Sequence, residues 1–185
     1  MSQQKAFTLI ELLIVLTIVA IALSIALPNF SEFIEQKKAN DTIKRVKQAI
    51  TVAKVGAVVN GNYVTLCKSR SGEKCEGNWE QGMIAFTDKN GDRKINQDDR
   101  LLRYFTFPEV EGTIRWRAFQ NRQYLQITGQ GFTRFQNGNF TYCPHNKKPY
   151  LARQIIINRT ARVRFSIDSN GDGIQEDSRG RPIRC

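Results

Sequence analysis

KAFTLIELLIVLTIVAIALSIALPNF, residues Lys5 to Phe30, decides how the rest of the chain is read. From Phe7 to Leu27 only Thr8, Glu11, Thr17 and Ser24 are polar. As a helix, this run is about 30 Å long, the thickness of a bilayer's hydrocarbon core. A cleavable secretory signal has a shorter apolar core and a small-residue cleavage site behind it. Pro28-Asn29-Phe30 is a poor site of that kind, so the segment is expected to stay in the mature protein. Glu11 is the anomaly, because an ionisable group at membrane depth is costly and needs a nearby partner. A cut between Ala6 and Phe7 would create an α-amino group four residues before Glu11, able to neutralise its carboxylate within one chain or between chains.

Beyond Pro28 the apolar residues become periodic. Phe30, Phe33, Ile34, Ile43, Val46, Ile50, Ala53 and Ala57 recur mostly every three or four positions, the stripe of an amphipathic helix. Pro28 is expected to kink the helix rather than end it, and Asn60-Gly61-Asn62 to stop it. Thereafter the chain reads as strands: 63–67, 83–87, 101–107, 113–119, 124–128, 154–158 and 162–167. Alternation places Ile114, Trp116 and Ala118 inward with Arg115 and Arg117 outward. It likewise places Val163, Phe165 and Ile167 inward with Arg162 and Arg164 outward. Asn90-Gly91, Asn137-Gly138 and Asn170-Gly171 read as turns between strands. The fold class is α+β, a long N-terminal helix packed on an antiparallel, β-rich head.

The net charge is +11. Residues 1–102 carry 14 basic against 11 acidic groups, and residues 103–185 carry 14 against 6, so the second half holds +8 of it. Such a surface fits an acidic partner, or simply a solvated face. The four cysteines, Cys67, Cys75, Cys143 and Cys185, allow three connectivities and suit an oxidising compartment. We favour Cys67–Cys75, around a short polar loop, and Cys143–Cys185, whose loop closure is worth about 4 kcal/mol in the chain-entropy model. A zinc site has little support, with no Cys-x-x-Cys pair and His145 as the one histidine. Nothing pairs His145 with a free nucleophile, so no enzyme is expected.

The string from Ala6 to Pro28 resembles the N-terminus of type IV prepilins: a short leader, a cut before Phe, Glu at the fifth position after it, then an apolar helix. The leader here ends in Ala6, where family leaders usually end in Gly. The resemblance implies removal of residues 1–6 by prepilin peptidase, N-methylation of Phe7, and pairing of Glu11 with the Phe7 amine of a neighbouring subunit. It divides the chain into leader (1–6), transmembrane and filament-core helix (7–28), amphipathic continuation (29–60) and head (61–185). The mid-chain AFTDKNGD (Ala85–Asp92) and the late IIINRTARVR (Ile155–Arg164) resemble the GspH/FimT family of minor pilins and pseudopilins. This implies a minor pilin of a type IV pilus that helps to initiate or cap assembly, or alternatively a type II secretion pseudopilin. Its partners would be other pilins, and its place the inner membrane with the head in the periplasm, then the cell surface.

Two further readings concern the head. Asp88, Asn90, Asp92 and Asp99 stand at positions 1, 3, 5 and 12 of an EF-hand-like loop, and oxygen ligands so spaced can converge on calcium. Arg93 takes the glycine position. A second loop, Asp168 to Gly173, has the glycine but Arg179 at its twelfth position. Turn building is the simpler explanation of both loops, so no cofactor is required, with calcium the alternative. Arg159, Arg162 and Arg164, with Arg179, Arg181 and Arg184 in the tail and Lys147, Lys148 and Arg153 near them in sequence, could contact successive phosphates of DNA. In FimT proteins a GRxR motif is associated with DNA capture. Ala161-Arg162-Val163-Arg164 matches it apart from Ala for Gly, and solvated strand faces or subunit contacts are the competing explanation.

Overall fold

A computed structural model of the chain describes residues 8–108 and 110–185, without the side chains of 25–29. Ala6 and Phe7, the expected processing site, lie outside the described residues, as does the side chain of Pro28. One helix, α1, runs from Leu9 to Asn60. It is followed by β1 (Val64–Lys68), β2 (Met83–Thr87), β3 (Leu101–Phe105), β4 (Gly112–Ala118), β5 (Tyr124–Ile127), β6 (Gly138–Pro144), β7 (Arg153–Ile157) and β8 (Val163–Phe165). The chain divides into two compact units, up to Lys37 and from Lys38 onward.

In the first unit the apolar side chains of α1 over residues 9–24 are exposed, among them Leu9, Ile14, Ile18 and Leu23. Its polar interruptions turn back on the helix itself: Thr17 Oγ1 donates to the Leu13 carbonyl and Ser24 Oγ to that of Ile21, both at 2.7 Å. Such back-bonding lets a hydroxyl sit in an apolar surround without an unpaired donor. Among the described residues no helical stretch is long and apolar enough to cross a membrane.

In the second unit the end of α1 buries Ala39, Ile43, Val46, Ala49, Ile50, Ala53 and Ala57. These form the core with the inner faces of two four-stranded antiparallel sheets, ordered β3-β2-β1-β5 and β4-β6-β7-β8. Phe30 and Phe33, expected on the same stripe, are exposed, because the head begins one turn later. At the centre Phe140 stacks on Trp116 (4.3 Å between ring centroids) and meets Trp79 edge-on (4.9 Å). The Trp116 indole N–H donates to the Tyr124 carbonyl, tying β4 of one sheet to β5 of the other.

The strand β6 is absent from the sequence reading and lies between β4 and β7. Its flanking Asn137-Gly138 was expected to be a turn. Gly138 instead opens the strand opposite Ala118, and a side chain there would collide with the Arg117 carbonyl. A second correction concerns β8. Val163 and Phe165 do share the inward face, opposite core Ile157 and Ile155, with Lys47 of α1 over the Phe165 ring, but Phe165 is only partly covered at the sheet edge and Ile167, past the end of the strand, is exposed.

Candidate functional site: a basic cleft on the head

Outward-facing residues of the second sheet form cross-strand rows fixed by register. Arg117 pairs with Asn139, Arg115 with Thr141, and Thr113 with Cys143; Gln154 of β7 extends the middle row by pairing with Thr141. After β8 the chain loops out and returns as a short hairpin. Glu176 bridges Pro182, Asp177 N donates to the Arg181 carbonyl (2.7 Å), and Ile183 N donates to that of Gln175 (3.0 Å). Cys185 then bonds to Cys143 on β6, while Cys67 bonds to Cys75 in the other sheet.

Between the sheet face and this hairpin lies a cleft of about 420 Å³. Arg115 and Arg117 form one wall; Arg179, Arg181 and Arg184 form the other. Asp177 is the one carboxylate in the lining, and it is engaged by Arg181 at 3.0 Å. Burial works against the charged Asp177 carboxylate, but the backbone N–H groups of Arg179 and Arg181 and the Arg181 guanidinium outweigh it. They hold this carboxyl below its ordinary range. Arg115 Nη2 lies 2.9 Å from Cys143 Sγ and donates to the Arg184 carbonyl at 3.2 Å, so it touches both the disulfide and the tail.

The six arginines singled out in the sequence therefore separate into two groups. Arg179, Arg181 and Arg184 line the cleft, whereas Arg159, Arg162 and Arg164 do not. Arg164 is on the same outer face, opposite Ile156, and Arg159 and Arg162 sit at the exposed β7–β8 turn. Arg153 is no part of the basic surface: it is buried, and its guanidinium donates to Asn40 Oδ1 of α1 at 2.6 Å and to the Tyr150 carbonyl at 2.6 Å. Burial lowers its pKa from the ordinary arginine value. Ala161 has φ 50°, the left-handed region in which glycine is at ease. That is a physical reason for glycine at this place in a GRxR motif.

The two acidic loops fold alike. In the first, Asp88 Oδ2 accepts from Arg93 N at 3.1 Å; in the second, Asp168 Oδ2 accepts from Gly173 N at 2.8 Å. Their environments differ. Asp88 is fully buried, and its Oδ2 also accepts from Thr65 Oγ1 (2.5 Å) and Gln126 Nε2 (2.7 Å), linking β1, β5 and the loop. Asp99 accepts from Lys89 N and Asn96 N, and Asp92 Oδ1 from Lys94 N, so these carboxylates brace turns. Asn90 Oδ1 does the same for Asp92 N. Among the described residues, the carboxylates that converge are instead Asp168, Asp172 and Glu176. Glu176 escaped the sequence reading because it stands at the ninth position of its loop, not the twelfth.

A long N-terminal helix carrying a lone carboxylate in its first turn, buried at its far end in a β-rich head, defines a pilin-like protein. Residues 42–161 match the family model described as type II transport protein GspH, and residues 1–27 match the prokaryotic N-terminal methylation motif. The chain belongs to the GspH family, and the methylation motif marks it as a component of a pilus or secretion system. The type IV minor pilin FimU of Pseudomonas aeruginosa PAO1 has a similar fold, with a TM-score of 0.51 at 16% identity over 75% of this chain and 92% of that one. The minor pseudopilin EpsH from the type 2 secretion system of Vibrio cholerae gives 0.49 at 10% identity, over 69% of this chain and 95% of that one.

Proposed function

We propose that this chain is a minor pilin of a type IV pilus, made as a prepilin, cut between Ala6 and Phe7, N-methylated on Phe7 and built into the filament beside other pilins. The observation that carries this is the start of α1: over residues 9–24 an apolar helix with every side chain exposed and Glu11 as its one charge. Such a surface needs cover. The inner membrane provides it before assembly, with the head in the periplasm, and neighbouring subunits provide it afterwards. Glu11 tolerates that surround by pairing with the α-amino group of an adjacent Phe7. The test is mass spectrometry of the mature N-terminus, together with recovery of wild type, Glu11→Gln and Glu11→Ala in sheared filaments. We expect methylated Phe7 as the first residue and at least tenfold less of each variant. Equal incorporation of Glu11→Ala would sink the pairing argument. Lost protein secretion with intact twitching in a deletion strain would assign the chain to a secretion machine instead.

A second reading is favoured by the basic cleft: the head binds the phosphodiester backbone of DNA. Arginine forks suit phosphate oxygens, and the lining contains no aromatic ring on which a base could stack. Binding that weakens steeply with salt supports this reading.

A further inference from the structure

We propose that the Cys143–Cys185 disulfide builds the phosphate site, so that the head takes up a phosphodiester chain only when this bond is formed. The inference rests on reading the head as a phosphate binder, and it adds which residues do the binding and what controls them. The sequence places the arginines of the two walls more than 60 positions apart, in β4 and in the tail. Only the return of the tail onto the sheet makes them one site. Apart from the disulfide, the tail beyond Pro182 is held to the rest of the head by few groups. Ile183 is buried at 5% exposure and bonds to Gln175, and Arg115 reaches the Arg184 carbonyl. Arg179 and Arg181 belong to the hairpin, which Glu176 N ties to the Ile167 carbonyl and Ser169 to the Glu176 carboxylate, whereas exposed Arg184 lies beyond it and depends most on the disulfide.

Cys185 is itself exposed, which leaves the bond open to a thiolate in solution. Reduction by a dithiol is balanced: two protein thiols form as the reductant becomes a disulfide. Arg184 then spreads over a larger volume and the hairpin that carries Arg179 and Arg181 loses its tie to β6, so their effective concentration against Arg115 and Arg117 falls. The second disulfide, Cys67–Cys75, lies in the other sheet and borders no part of the cleft. It is a built-in control.

The experiment uses the full-length protein in a non-ionic detergent. Fluorescence anisotropy follows a labelled single-stranded oligonucleotide across a salt series, with inorganic polyphosphate and polyglutamate as competitors. The expected result is loss of at least tenfold in affinity for Cys143→Ser/Cys185→Ser, with the salt slope falling by about 0.7 for the lost Arg184 contact and by up to about 2 if Arg179 and Arg181 move with it. Cys67→Ser/Cys75→Ser stays within threefold of wild type. Since the first variant could misfold, Arg117→Ala/Arg179→Ala removes one arginine from each wall while leaving both disulfides, and it loses at least tenfold. Arg159→Ala/Arg162→Ala changes the net charge equally outside the cleft and stays within threefold. Polyphosphate competes and polyglutamate does not. Wild-type-like binding by the Cys143/Cys185 variant overturns the gating, and equal losses from the two arginine pairs overturn the site; in both cases the phosphate reading stands. Failure of wild type to bind oligonucleotide or polyphosphate overturns both. Competition by polyglutamate as strong as by polyphosphate would replace a phosphate site with unspecific charge attraction.

Discussion

Asp88 separates a metal site from a structural hub, and the separation has a size. Asp88→Ala removes the acceptor of two buried donors, Thr65 Oγ1 and Gln126 Nε2, and of the part-buried Arg93 N. Gln126 keeps Thr65 Oγ1 as a partner at 3.1 Å and Arg93 is exposed enough for water to serve its N–H, so Thr65 Oγ1 is the buried donor left without a partner. At about 1–3 kcal/mol for a buried orphan, the loss is about 2 kcal/mol. For a head of this size that is roughly a 4–8 °C fall in Tm. Asp88→Asn keeps one acceptor and should lose about half as much. Trp79 and Trp116 both lie in the head core, so tryptophan fluorescence of the full chain in detergent reports the head. The melts are run in EDTA and in millimolar calcium. A structural Asp88 gives the same loss in both. A loss that appears only with calcium would return Asp88 to the ligand role, and a loss under 1 kcal/mol in both would refute the orphan-donor reasoning.

Phe140→Ala opens a cavity between Trp79 and Trp116, and urea unfolding should show about 3–5 kcal/mol of destabilisation; less than 1.5 kcal/mol would mean that β6 is not the centre of the core. Asp177 has a depressed pKa in the folded state. Its contribution to stability is therefore present above the unfolded value, about 3.9, and fades as the pH falls through the folded one. The stability difference between wild type and Asp177→Asn should shrink from pH 5 to pH 2.5, and a constant difference would assign it to something other than the charge.

Most of the fold could be read from the sequence because its signals are local. The apolar run at 7–27 and the three-four stripe that follows mark α1, and period-two alternation marks β4 with Arg115 and Arg117 on its outer face. What escaped depends on distant pairing. Asn137-Gly138 carries a turn signature, yet Gly138 serves a close approach to the Arg117 backbone, a requirement invisible without knowing that β4 is the partner. The cleft was half legible for the same reason. The tail arginines stood out as a cluster, and the outward face of β4 was read. The strand that joins them, β6, was not, so nothing in the chain order connected Arg115 to Arg184. Buried Arg153 shows the converse error, since proximity in sequence to Lys147 and Lys148 says nothing about which face a strand residue takes.

The two loops that share the pattern Asp-x-Asn-Gly-Asp and the arginines divided between core and cleft obey one rule. A charge is tolerated in the head interior where fixed donors or acceptors surround it, as for Asp88 and Arg153. In the cleft only Arg181, on Asp177, and Arg115, on the Arg184 carbonyl, are so engaged. Two like charges about 8–10 Å apart in water repel by roughly 0.4–0.5 kcal/mol, and salt reduces this further. Over the ten pairs that five arginines make, the total comes to several kcal/mol before screening, and the Asp177 carboxylate offsets a large part of it. What remains is smaller than the roughly 4 kcal/mol that closing the Cys143–Cys185 loop supplies. A tail kept against its own repulsion by a covalent bond gains most from an anionic ligand, which removes the repulsion as it binds. The disulfide and the ligand therefore act on one equilibrium, the position of the tail, and each should strengthen the effect of the other.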